Sequence, residues 1–179
     1  MPSNLRTCAT VLLCCLVLTG CIHLRSSAKP VPERTETIGT SVLGRELLVH
    51  HFAGGPPGAP PVLILAAIHG NETETAPLAR SFVEHLRKNP KDLHGQNVAI
   101  LCVANPDGVE AQTRVNANGV DLNRNFPAQN WKPALRRTQY FNGPAAASEP
   151  ETRALMKLIA DLRPSRICSI HSIDRGRQQ

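Results

Sequence analysis

Aromatic side chains are scarce in this chain of 179 residues: four Phe, one Trp and one Tyr, 3% of the whole. Phe52, Phe82, Phe126, Trp131, Tyr140 and Phe141 are scattered singly or in pairs, which excludes the series of stacking platforms that single-strand nucleic-acid binders use. Excess charge is scarce too. Twenty Lys and Arg against fourteen Asp and Glu leave +6, spread along the chain with no basic patch, so no nucleic-acid partner is expected. No internal repeat is present, and the longest apolar stretch falls short of the roughly 20 residues a membrane-spanning helix needs. What remains is 41% hydrophobic and 19% charged residues, the balance of one folded domain of ordinary size, with disorder excluded as its main state.

The first twenty residues read as an address. Arg6 is the only charge ahead of an apolar stretch from Thr7 to Ile22, the shape of a secretory signal. The stretch ends in Leu18-Thr19-Gly20-Cys21, which resembles the bacterial lipobox, where the signal is cut ahead of a cysteine that takes a lipid anchor. The expectation is a signal peptide over 1–20, lipidation at Cys21, a tether over 21–37 with Ser26, Ser27, Pro30 and Pro32, and one domain over 38–179. Such a lipoprotein faces the periplasm and meets the membrane only through its anchor; a plain signal peptide or a short membrane anchor is the alternative. Cys102 and Cys168 lie inside apolar runs and are expected as unpaired core residues.

Along the domain, Arg45 to Phe52 reads as a strand before the turn-rich Gly54-Gly55-Pro56-Pro57-Gly58. Pro61 to Ile68 and Asn97 to Ala104 are continuous apolar runs of strand length, the mark of strands covered on both faces. Between them, Leu78, Phe82 and Leu86 recur every four residues over Thr75 to Lys88 and predict an amphipathic helix with those three on its apolar face. A long polar stretch, Asn105 to Pro144, is a candidate functional loop. Ser148-Glu149-Pro150-Glu151 has the spacing of a capping box, Leu155, Ile159 and Leu162 line the helix that follows, and Arg166 to His171 reads as a third buried strand. Strands alternating with helices predict an α/β fold, a mixed, mostly parallel sheet flanked by helices, with its site beyond the carboxyl ends of the strands.

Chemistry-bearing residues collect at those ends. His69-Gly70-Asn71-Glu72 follows one buried strand and His171 closes another. Two imidazoles and a carboxylate form a catalytic zinc set with a fourth position open to water; taken singly, Glu72 also suits a helix first turn and His171 a plain strand end. Asn105-Pro106-Asp107-Gly108 ends the second strand, and Gly119-Val120-Asp121-Leu122-Asn123-Arg124-Asn125-Phe126 lies in the long loop. With the final strand ending in Ser169-Ile170-His171-Ser172, this order of motifs resembles the zinc carboxypeptidase family, and within it the murein peptide amidase branch, from about Pro61 to Arg177. The resemblance implies a peptide or amide bond cleaved by a zinc-activated water next to a free carboxylate, a murein stem peptide being the candidate substrate. It implies His69, Glu72 and His171 as ligands of Zn2+, Arg114 as the side chain that polarises the scissile carbonyl, and Asn123 with Arg124 as the grip on the terminal carboxylate. A guanidinium fork suits that last task. The alternative is that Arg114 and Arg124 merely pair with Asp107 and Asp121, the latter read as holding the loop or a ligand's outer partner.

The resemblance also implies a glutamate base on a later strand. After His171 the sequence holds one carboxylate, Asp174, and no glutamate, so the domain is expected to lack its C-terminal strand and helix. Three readings stand: an inactive truncated product, a lipid-anchored module that binds zinc or peptide, or an amidase using Asp174 or Glu74 as base. A deacylase of the aspartoacylase and succinylglutamate desuccinylase group shares the His-x-x-Glu and Asp-Leu-Asn-Arg elements, and is a further alternative.

Overall fold

The computed structural model describes residues 32–134 and 138–172. The signal peptide, Cys21, the tether up to residue 31 and Asp174 lie outside them. Five strands form one sheet: β1 (Glu33–Thr40), β2 (Glu46–Ala53), β3 (Val62–Ala66), β4 (Asn97–Leu101) and β5 (Arg166–Ile170), in the spatial order β1-β2-β4-β3-β5. β1 pairs with β2 and β2 with β4 antiparallel, while β3 pairs with both β4 and β5 parallel. The sheet is therefore mixed, with the parallel half at the β5 side.

β1 begins at Glu33, so its residues up to Thr37 fall in the stretch that sequence reading assigns to the tether. Its sequence, ERTETIGT, carries Ile38 as its one large apolar residue, so no hydrophobic alternation announces it. A margin strand paired on one side tolerates this, and polar residues there discourage pairing with foreign chains.

Alternate residues of the central strands supply the two faces. Leu47, Val49, Leu63, Leu65, Ala99 and Leu101 join α4 (Pro150–Leu162) through Ala154, Leu155 and Leu158. Ile64, Ala66, Val98, Ile100 and Cys102 join α1 (Thr75–Lys88) through Ala79, Val83 and Leu86. α1 spans the residues expected of it, but its apolar face is displaced. Thr75, Ala76, Ala79, Val83 and Leu86 are buried, whereas Leu78 is 57% and Phe82 38% exposed. Small side chains at 76 and 79 let the helix sit close to the sheet, and the larger pair falls outside the contact.

Two further expectations are corrected. β5 is exposed along nearly its whole length, Cys168 included, while Cys102 is buried; α1 and α4 lie over β3, β4 and β1, leaving β5 at the uncovered margin among the described residues. The Ser148 capping box is not formed. α4 begins at Pro150 with Glu149 as its N-cap and no side-chain cap bond, because Ser148, Glu149 and Glu151 are drawn into a buried polar network instead. Among the described residues no helix is long and apolar enough to cross a membrane.

Candidate metal centre

β3 ends at Ala66, and the backbone turns sharply: Ala67 takes φ 50°, a left-handed conformation that an L-residue adopts only when held there. Ala66 and Ala67 carbonyls accept from the Ala104 and Asn105 N–H groups beyond β4, so the two strand ends leave the sheet together. The turn returns over itself through the Glu72 N–H donating to the His69 carbonyl at 3.2 Å. Gly70 is indispensable here. A Cβ at this position would lie 1.9 Å from the Gly108 carbonyl carbon, in the short helix α2 (Pro106–Ala111), so backbone packs directly on backbone. Asn105 locks the same junction, its Nδ2 donating to the Ile68 carbonyl at 3.3 Å and its Oδ1 accepting from Gly108 N–H at 2.9 Å.

This folding brings His69, Glu72 and His171 together, with one donor atom from each lying within 4.8 Å of the others. His69 Nδ1 stands 2.8 Å from Glu72 Oε1, and His171 Nδ1 stands 3.0 Å from Glu72 Oε2. The imidazole centroids are 5.0 Å apart. Each Nε2 is engaged on the outer side: His69 with Asp121 Oδ1 at 3.1 Å, His171 with Ser169 Oγ at 3.2 Å. The consequence is chemical. Buried Asp121 engages His69 Nε2, so Nδ1 is the ring nitrogen that faces the centre, the arrangement of a metal-ligating histidine and its outer carboxylate. Two imidazoles and one carboxylate match a zinc site with an open fourth position in both donor type and count.

Asp121 does three tasks at once. Its Oδ1 also accepts from the Asn123 N–H at 3.0 Å, capping the short helix α3 (Leu122–Asn125), and its Oδ2 accepts from Arg114 Nε at 3.0 Å. Burial opposes its ionisation, yet the His69 hydrogen bond and the Arg114 charge outweigh that and hold its carboxyl below the usual range. Arg114 is thus paired, as the alternative reading had it, and one carboxylate away from His69; its guanidinium also lies over the Tyr140 ring at 5.1 Å. Asp107 pairs with Arg45 Nη1 at 2.7 Å, not with either candidate arginine. Asn123 and Arg124 sit on α3 facing solvent, and Arg124 donates only to the Asn123 carbonyl, at 3.2 Å. It pairs with no carboxylate among the described residues.

Sequence reasoning missed Tyr140, Asn116 and the fully buried Glu149 and Glu151. Nothing local marks them, since the contacts that join them to one another and to Arg114 span 26 to 35 residues of chain. A cavity of about 480 Å³ between α1, β2 and α2 is lined by other side chains, Arg80, Arg87 and Cys102 among them, and by none of the metal-site donors.

A family model described as zinc carboxypeptidase matches residues 22–176. Murein peptide amidase A of Escherichia coli K12 is 36% identical over 158 residues, covering 82% of this chain and 62% of the relative. The crystal structure of the murein-tripeptide amidase of Escherichia coli O157 superposes with a TM-score of 0.59 at 31% identity, over 83% of this chain and 65% of that one. The carboxypeptidase A of Helicoverpa armigera gives a TM-score of 0.67 at 27% identity, over 80% and 41%. The chain thus spans less than two thirds of the length of these relatives.

Proposed function

The chain belongs to the zinc carboxypeptidase family, and from that premise we propose that it is a zinc hydrolase cutting a peptide or amide bond next to a free carboxylate. The observation that carries the reading is the His69–Glu72–His171 cluster with its outer partners, Asp121 and Ser169, turned away from the centre. Bound there, zinc would supply Lewis acidity and a water activated near neutral pH. Three of the chain's own side chains act beside it. Asp121 holds the His69 ring and its tautomer; Arg114, next to that carboxylate, presents a guanidinium toward the developing negative charge of the substrate carbonyl. Arg124, exposed on α3 beside Asn123 and without a carboxylate partner among the described residues, binds the terminal carboxylate as a bidentate fork. A murein stem peptide is the substrate proposed, supported by the names of the amidase relatives and by the signal-like N-terminus. Anchoring through Cys21 on the periplasmic side goes with it; fatty-acid label that survives Cys21→Ala would exclude that anchor.

Hydrolysis of a murein tripeptide and of its C-terminally amidated form, by wild type and Arg124→Ala, tests the proposal. Arg124→Ala should raise KM for the free carboxylate by about 100-fold, the worth of a charge-assisted pair of about 2–3 kcal/mol, and leave the amidated form unchanged. Equal loss on both refutes the clamp. Zinc bound without any turnover makes the chain a metal-binding relative of the hydrolases.

A further inference from the structure

Glu149 and Glu151 are 2% and 0% exposed, and no cation pairs with either among the described residues. Buried carboxylates without a cation persist only where hydrogen bonds replace the lost water. Glu149 accepts from Ser148 Oγ at 2.7 Å through one oxygen, and from Asn116 Nδ2 and Asn118 Nδ2, both at 2.8 Å, through the other. Asn116 Nδ2 also reaches Glu151 Oε2 at 3.2 Å. The other end of the same amide closes a loop: Asn116 Oδ1 accepts from the Asn118 and Val120 N–H groups at 3.1 and 3.0 Å, while the Asn116 N–H donates to the Val120 carbonyl at 2.9 Å. The next residue is Asp121, whose carboxylate meets His69 Nε2 and Arg114.

We propose that Glu149 is a positioning residue of the metal centre, holding the 116–120 loop through Asn116 and Asn118 and thereby fixing Asp121 against His69. The proposal rests on His69 being a zinc ligand. Its physical content is a relay from the N-cap of α4 to the outer nitrogen of His69: hydrogen bonds from Glu149 through Asn116 to Val120, the peptide link from Val120 to Asp121, and the Asp121 carboxylate on His69. Removing the Glu149 carboxylate leaves buried Asn116 Nδ2 with only its longer bond to Glu151 and takes away the protein acceptor of the exposed Asn118 Nδ2, and the loop relaxes toward new partners. The outer carboxylate of a ligating histidine is commonly worth about 10–100-fold in metal affinity, and Glu149 acts one step behind it.

The test combines zinc affinity by competition with a chelator and the imidazole ¹⁵N–¹H spectrum of the metal-free chain, both well below the melting temperature. Glu149→Ala should weaken zinc binding about tenfold and broaden the His69 Nε2–H signal. Glu149→Gln keeps the shape, with its oxygen accepting from the asparagines and its amide donating to Ser148 Oγ, and should restore both. Leu158→Ala, on the buried face of α4, should lower stability and move neither. Wild-type affinity and signal in Glu149→Ala overturn the proposal, as does an equal effect from Leu158→Ala. Should Glu149→Ala not fold, Asn118→Ala, at an exposed position, carries the same readouts. If His69→Ala keeps its zinc, the ligand assignment falls instead, and the metal-free spectrum still decides the positioning role.

Discussion

At the scale of single residues, the site is built from positions that admit one side chain. Gly70→Ala would drive a Cβ into the Gly108 backbone at 1.9 Å, and backbone cannot swing aside as a side chain can. We expect a loss of about 2–3 kcal/mol in denaturant unfolding. Gly58→Ala, with open space around it at φ +78°, should lose only about 1 kcal/mol. Glu151 makes a prediction about pH. Burial pushes its carboxyl above 4.5, with the Asp107 charge adding to the rise and its hydrogen bonds opposing it. The folded state therefore binds the proton more tightly than the unfolded chain. That stabilisation is complete below 4.5 and is lost as pH rises through the raised value. The stability of Glu151→Gln relative to wild type should climb as pH rises above 4.5; a flat difference would show that Glu151 ionises without penalty. His69, Glu72 and His171 were legible in the sequence because they lie at or just past the ends of apolar strands and within the motifs that resemble those of the zinc carboxypeptidases. Glu149 and Glu151 were not, since a capping-box spacing and a buried network of the same letters look alike until Asn116 is seen beside them.

At the scale of elements, sequence pattern locates α1 to the residue and misjudges its orientation. Leu78, Phe82 and Leu86 form a regular stripe, yet close approach to the sheet is set by Ala76 and Ala79, which a hydrophobicity pattern weights lightly. Leu86→Ala should accordingly lose about 2–5 kcal/mol, and Leu78→Ala no more than about 0.5 kcal/mol, in thermal or denaturant unfolding. The reverse order would restore the simple stripe. β1 was illegible because a margin strand paired on one side needs no apolar alternation. β5 was read as buried on its composition, and its exposure follows from its place at the margin, which only the strand order reveals.

At the scale of the whole molecule, the candidate metal centre joins two parts of the sheet that meet along the β3–β5 pair. His69 and Glu72 follow β3, and His171 follows β5. A metal held by all three clamps the exposed margin to the covered centre. Zinc at 100 times its dissociation constant should stabilise the fold by about 2.7 kcal/mol and slow amide exchange in β5 more than in β1. The measurement that bears most directly on the account is the zinc content of the purified chain after equilibrium dialysis, set beside His69→Ala and His171→Ala. About one zinc per wild-type chain and none in either variant is the expected result; stoichiometric zinc in both variants would contradict the assignment of the centre.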